Sequence, residues 1–173
     1  TGINSGVIEI FSTQRAFAAL KSDGSVITWG GLNGQVFGNN SSSVANSINS
    51  GVIDISSNQR AFAALKSDGS VITWGDSYYG GNSSSVASSI NSGVIKIFPG
   101  ARGAFAALKS NGSLVTWGNS DYGGDSSSVS SDLSSGVTQV FSAHGSNGRA
   151  SFAALKGGSE VVSWGNYVAD TST

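Results

Sequence analysis

The phrase Ala16-Phe17-Ala18-Ala19-Leu20-Lys21 returns at Ala61 to Lys66 and at Ala104 to Lys109, and a fourth time as Ser151-Phe152-Ala153-Ala154-Leu155-Lys156. Successive Phe residues lie 45, 43 and 47 positions apart, and each is followed 12 positions later by a Trp-Gly pair: Trp29-Gly30, Trp74-Gly75, Trp117-Gly118 and Trp164-Gly165. Self-similarity at such a period constrains the fold more than any other feature. Each unit is one supersecondary element that buries its apolar surface against its neighbours. The Phe-to-Trp segment accepts no insertion, whereas length varies ahead of Phe152 and between Trp29 and Val44. Tolerated insertions mark exposed loops. The repeats divide the single domain 1–173 at about 6–50, 51–92, 93–135 and 136–173, with residues 1–5 completing the last connector.

Three strands per unit follow from the local pattern. Val7-Ile8-Glu9-Ile10-Phe11 alternates with period two, and the position of Glu9 becomes Asp54, Lys96 and Gln139 in the later copies. Ile8 and Ile10 are therefore expected on one buried face, with a variable polar residue between them. Phe17 to Leu20 and Val26 to Trp29 flank Asp23-Gly24, repeated as Asp68-Gly69 and Asn111-Gly112, a tight hairpin signal. The fourth copy reads Gly157-Gly158-Ser159-Glu160 there, a less well specified turn. In the Gly- and Ser-rich connectors, Val44 with Ile48, Val86 with Ile90 and Val129 with Leu133 keep a spacing of four. This predicts ordered coil with a short helical turn rather than a free linker.

The run from Gly-Val through Phe-Ala-Ala-Leu-Lys-Ser-Asp-Gly-Ser-Val-Ile-Thr-Trp-Gly resembles the repeat of the regulator of chromosome condensation family. Asn33-Gly34-Gln35-Val36-Phe37-Gly38 is similar to that family's Gly-Gln-Leu-Gly phrase, and Tyr122-Gly123-Gly124 stands at the corresponding place in the third copy. The resemblance implies an all-β, four-repeat β-propeller-like array of three- to four-stranded units. A β-prism, a trefoil-like fold and a solenoid stack are the alternatives for units this short. Here Phe occupies the place of the family's usual His or Cys.

Connectors run 19 to 22 residues from Trp to the next opening Gly, and the residues after Trp164 together with those before Gly6 nearly make up a fourth. The chain reads as cut within a connector, either a processed mature protein or a segment of a longer one. Its ends are expected to be ordered and to meet within one molecule or between molecules.

Composition narrows the function. Nine basic and ten acidic residues give a net charge of -1, with no general attraction to phosphate backbones, so nucleic acid is not expected as a partner. No apolar run reaches the roughly 18 to 20 residues of a membrane span. Absence of Cys excludes disulfides and thiolate chemistry. His144 is the only His and lies in the inserted Ala143 to Gly148 segment, where a solvated loop residue is expected rather than a catalytic base. No metal site, no cofactor and no catalytic group are expected.

Phe17, Trp29, Phe62, Trp74, Phe105, Trp117, Phe152 and Trp164 are expected to form the structural core of the units. The aromatics of the variable connectors, Phe37, Tyr78, Tyr79, Tyr122 and Tyr167, together with Asp125, are the candidates for ligand contact. Aromatic faces with Asn or Asp beside them suit sugar rings. Low charge and near-identical Ser-, Asn- and Gly-rich units favour a non-enzymatic extracellular or cell-surface protein. The expected role is that of a structural or adhesive module with itself as partner, in a homo-oligomer or head-to-tail assembly. A multivalent lectin-like propeller binding glycans, or attachment to another surface protein, is the second expectation.

Overall fold

A computed structural model describes residues 5–31, 36–144 and 150–166. Four three-stranded antiparallel sheets follow one another along the chain: β1 (Val7–Ser12), β2 (Ala16–Lys21) and β3 (Val26–Gly30); β4 (Val52–Ser57), β5 (Ala61–Lys66) and β6 (Val71–Gly75); β7 (Val94–Pro99), β8 (Ala104–Lys109) and β9 (Leu114–Gly118); β10 (Val137–His144), β11 (Ala150–Lys156) and β12 (Val161–Gly165). The fold is all-β and propeller-like, one blade per repeat.

In all four hairpins Phe stands opposite Trp. The pair stacks at 5.2 to 5.5 Å between ring centroids in each case. At the tip, Gly24, Gly69 and Gly112 adopt φ of 75°, 76° and 77°. The carbonyl of each then accepts from the first strand of the next blade: Val52 N–H on Gly24, Val94 on Gly69 and Val137 on Gly112, at 2.9 to 3.0 Å. One turn residue thus closes its own hairpin and joins two blades.

The strict period-two expectation for the first strand fails at a bulge. Between Val7 and Glu9, and at the matching place in β4, β7 and β10, the register shifts by a residue. Val52 with Ile55, Val94 with Ile97 and Val137 with Val140, three apart, face the core, while Ile8, Ile53 and Ile95 are exposed. The extra residue turns the strand and exchanges which side chains point inward.

The described parts of the connectors carry regular local structure. Short 3-10 turns at Ser42–Val44, Ser84–Val86 and Ser127–Val129 precede the anchors Ile48, Ile90 and Leu133, each 1% exposed, and Ile90 ends the four-residue helix α1 (Ala87–Ile90). Ala143 and His144 extend β10, pairing with Ser151 and Ala150. His144 is thus an exposed strand residue, because the ladder continues into the start of the insertion.

Blades pack face to face in three clusters. The leading face of a blade carries Phe, Trp and the inward residues of its first strand; the trailing face carries Ala, Leu and the first residue of the third strand. Between the first and second blades, Ala16, Ala18, Leu20 and Val26 meet Val52, Ile55, Phe62 and Trp74. Ala61, Ala63, Leu65 and Val71 likewise meet Val94, Ile97, Phe105 and Trp117. Ala104, Ala106, Leu108 and Leu114 meet Val137, Val140, Phe152 and Trp164. Small Ala residues leave depth for the rings, so the two faces are complementary in shape. Among the described residues, no core cluster joins the fourth blade to the first.

Candidate functional site

The connector aromatics become equivalent once the three-residue difference in the first connector is allowed for. Phe37-Gly38, Tyr79-Gly80 and Tyr122-Gly123 are the same two positions. The Gly carbonyl accepts from the indole of the following blade: Trp74 Nε1 on Gly38, Trp117 on Gly80 and Trp164 on Gly123, at 3.0 to 3.1 Å. A Cβ at those glycines would stand only 2.6 to 2.9 Å from the next blade's Phe ring, so no side chain fits. The connector is also tied back to its own blade. Thr13 Oγ1 donates to the Phe37 carbonyl at 2.8 Å, and Asn58 Nδ2 to that of Tyr79 at 2.7 Å.

This geometry separates the expected ligand residues. Phe37 is 3% exposed and belongs to the core between the first two blades. The guanidinium groups of Arg15 and Arg60 lie over its ring at 5.3 and 5.0 Å, and Arg60 also covers Tyr79 at 5.0 Å. Such contacts stiffen the seam between blades. Tyr79 packs against the second interface and Tyr122 is half-buried, whereas Tyr78 is 57% exposed. Tyr167 lies outside the described residues. The structure brings Tyr78 and Tyr79 edge to face at 5.5 Å and places Tyr122 a blade away.

Asp125 lines an open cleft of about 330 Å³ with Asp121, Ser127 and Asn166. Its carboxylate accepts from the Ser127 N–H at 2.9 Å. Bonds from the Ser127 backbone and hydroxyl hold its pKa below the ordinary carboxylate value. Asn40 and Asn82 accept the same backbone bond from Ser42 and Ser84. The side chain at this position therefore closes a turn in every complete connector, a task an uncharged amide performs equally. Among the described residues, no group of three or more His, Asp or Glu side chains could hold a metal ion.

Burial separates the first Phe-Trp pair from the other three. Phe62, Phe105 and Phe152 are at most 1% exposed, and Trp74, Trp117 and Trp164 are buried. Phe17 is 42% exposed and Trp29 only half-buried. They occupy the leading face of the first blade, against which no described connector is clamped. Ile10 beside them is 57% exposed, while its counterparts Ile55, Ile97 and Val140 are buried. At the other end, Phe141 and Val161 stand exposed on the trailing face of the fourth blade. The sequence carried no mark of these sites, since each residue resembles its buried counterparts. Position in the row was the one available signal.

No family model matches the chain, and no curated protein matches it in sequence. Among solved structures it is similar to human WBSCR16, at 20% identity and a TM-score of 0.50 over 95% of this chain and 49% of that one. It is also similar to Prp20p of Saccharomyces cerevisiae, at 16% identity and a TM-score of 0.56 over 92% of this chain and 44% of that one. In a complex of Kap60 with yeast RCC1 (Prp20), the values are 17%, 0.57, 92% and 43%. RCC1-type propellers are its structural neighbours. Prp20p is described with its binding properties to Gsp1p and histones. At these identities the likeness is one of fold, and the chain spans less than half the length of each of these neighbours. The four blades correspond to part of such a propeller. No described helix is long and apolar enough to cross a membrane.

Proposed function

We propose that this chain is a non-enzymatic structural module that works by protein association, with copies of itself as the first partner, in an extracellular or cell-surface setting. The observation that supports this most is the leading face of the first blade, which no core cluster covers among the described residues. Ile10, Phe17 and Trp29 occupy positions whose counterparts form the buried core of the next three blades. Apolar faces of this kind gain by being covered, at about 25 cal/mol per Å² of apolar area removed from water. The setting rests on the low charge and the Ser-, Asn- and Gly-rich connectors. The yeast neighbours also bind proteins.

Mass in solution tests the proposal. Light scattering over a dilution series is expected to report species larger than the 17.4 kDa monomer that dissociate on dilution. A 17.4 kDa species at every concentration would sink it and turn the search to ligands such as glycans.

A further inference from the structure

We infer that copies join head to tail: the leading face of the first blade in one copy seats on the trailing face of the fourth blade in the next. This rests on the self-association reading above and specifies its geometry. The argument is that both halves of such a joint already exist three times within the chain. At every internal interface a Phe-Trp face packs on an Ala-Leu face. Among the described residues, the two end faces are the unpaired members of that same pair. One offers Val7, Ile10, Phe17 and Trp29; the other offers Phe141, Ala153, Leu155 and Val161. Ile55 and Val26, the counterparts of Ile10 and Val161, lie in one cluster at the first interface. Ile97 with Val71, and Val140 with Leu114, do so at the second and third.

A joint between two unlike faces is heterologous and leaves one free face at each end, so it propagates into a ring or a filament according to the rotation per copy. Pairing like with like would instead set Phe17 and Trp29 against the same two rings, with no Ala-lined depth to receive them.

One residue limits how tightly the joint closes. Ser159 stands where Gly24, Gly69 and Gly112 stand in the earlier blades, at φ 86°. A Cβ at those glycines would meet the opening glycine of the following blade at 2.7 to 2.9 Å. The Ser159 side chain therefore holds the hairpin tip away from the Gly6 corner of an incoming copy. The joint is weakened there while its apolar centre is left intact.

Two single substitutions at exposed positions separate the possibilities. Ile10→Arg blocks the leading face and Val161→Arg the trailing face; circular dichroism confirms that both fold. For a head-to-tail joint, each variant alone is a monomer, and an equimolar mixture yields a one-to-one dimer that grows no further. Continued self-association of Val161→Arg alone would mean like-to-like pairing through the first blade, and of Ile10→Arg alone, pairing through the fourth. Either result overturns the inference while leaving self-association standing, as would a mixture that stays monomeric. Monomeric wild-type protein overturns both. Ser159→Gly in the wild-type background is expected to lower the concentration of half-assembly. Unchanged assembly in that variant would overturn the proposed seating of the tip.

Discussion

At the scale of single residues, the hairpin tips show how side-chain chemistry and backbone geometry share one task. Asp23 Oδ1 accepts from the Ser25 N–H at 2.9 Å and its hydroxyl at 2.6 Å, and Asp68 does the same with Ser70. The Ser25 and Ser70 hydroxyls, then their backbone N–H groups, hold both carboxylates below the ordinary value. A carboxylate pKa lowered by folding stabilises the folded state above the unfolded value, about pH 4, and that contribution disappears as pH falls through the folded value. Asn111 makes the same two bonds to Ser113 without a charge. The double variant Asp23→Asn, Asp68→Asn is therefore expected to lose less melting temperature than wild type between about pH 5 and pH 2. An acid limb as steep as that of wild type, in thermal scans across this range, would refute the assignment.

Single elements are held to one another by the clamp of connector on Trp. Trp74 is buried and donates to Gly38, whereas Trp29 has no such bond among the described residues. Replacing a buried donor leaves its acceptor unpaired, at a cost of about 1–3 kcal/mol, and the smaller ring adds a cavity. Trp74→Phe is expected to destabilise the protein by about 2 kcal/mol or more, and Trp29→Phe by less than about 1 kcal/mol. Urea denaturation of the two variants under dilute conditions measures the difference. Equal losses would mean that Trp29 is clamped as the others are. Lys66 and Lys109 add a second tie, donating to the Ser47 and Ser89 carbonyls of the preceding connector at 2.9 and 2.7 Å. This spans a seam as well as solubilising a hairpin.

For the molecule as a whole, stability approximates a sum over blades and neighbour interfaces. The second and third blades have a neighbour on both faces, while the first and fourth have one on a single face among the described residues. Hydrogen exchange at a concentration where the protein is monomeric is expected to be slowest in β5 and β8 and faster in β2 and β11. Equal protection of all four central strands would instead mean that the end blades are covered within one chain.

The four repeats and the approximate course of their strands and hairpin turns were legible in the residues, because strand period, turn chemistry and repeat spacing are local properties. The bulge after Val7 was not: one extra residue changes which side chains face inward while leaving the apolar pattern untouched. Equally invisible was the buried place of Phe37, which only the clamp between two blades reveals. Phe17 and Phe62 sit in identical copies of one hexapeptide, yet one is 42% exposed and the other fully buried. Sequence alone determined what each blade is, since a blade is held by contacts close along the chain. Which faces are buried was decided by the tertiary arrangement, because burial depends on what packs next to a blade and identical residues carry no record of their neighbours.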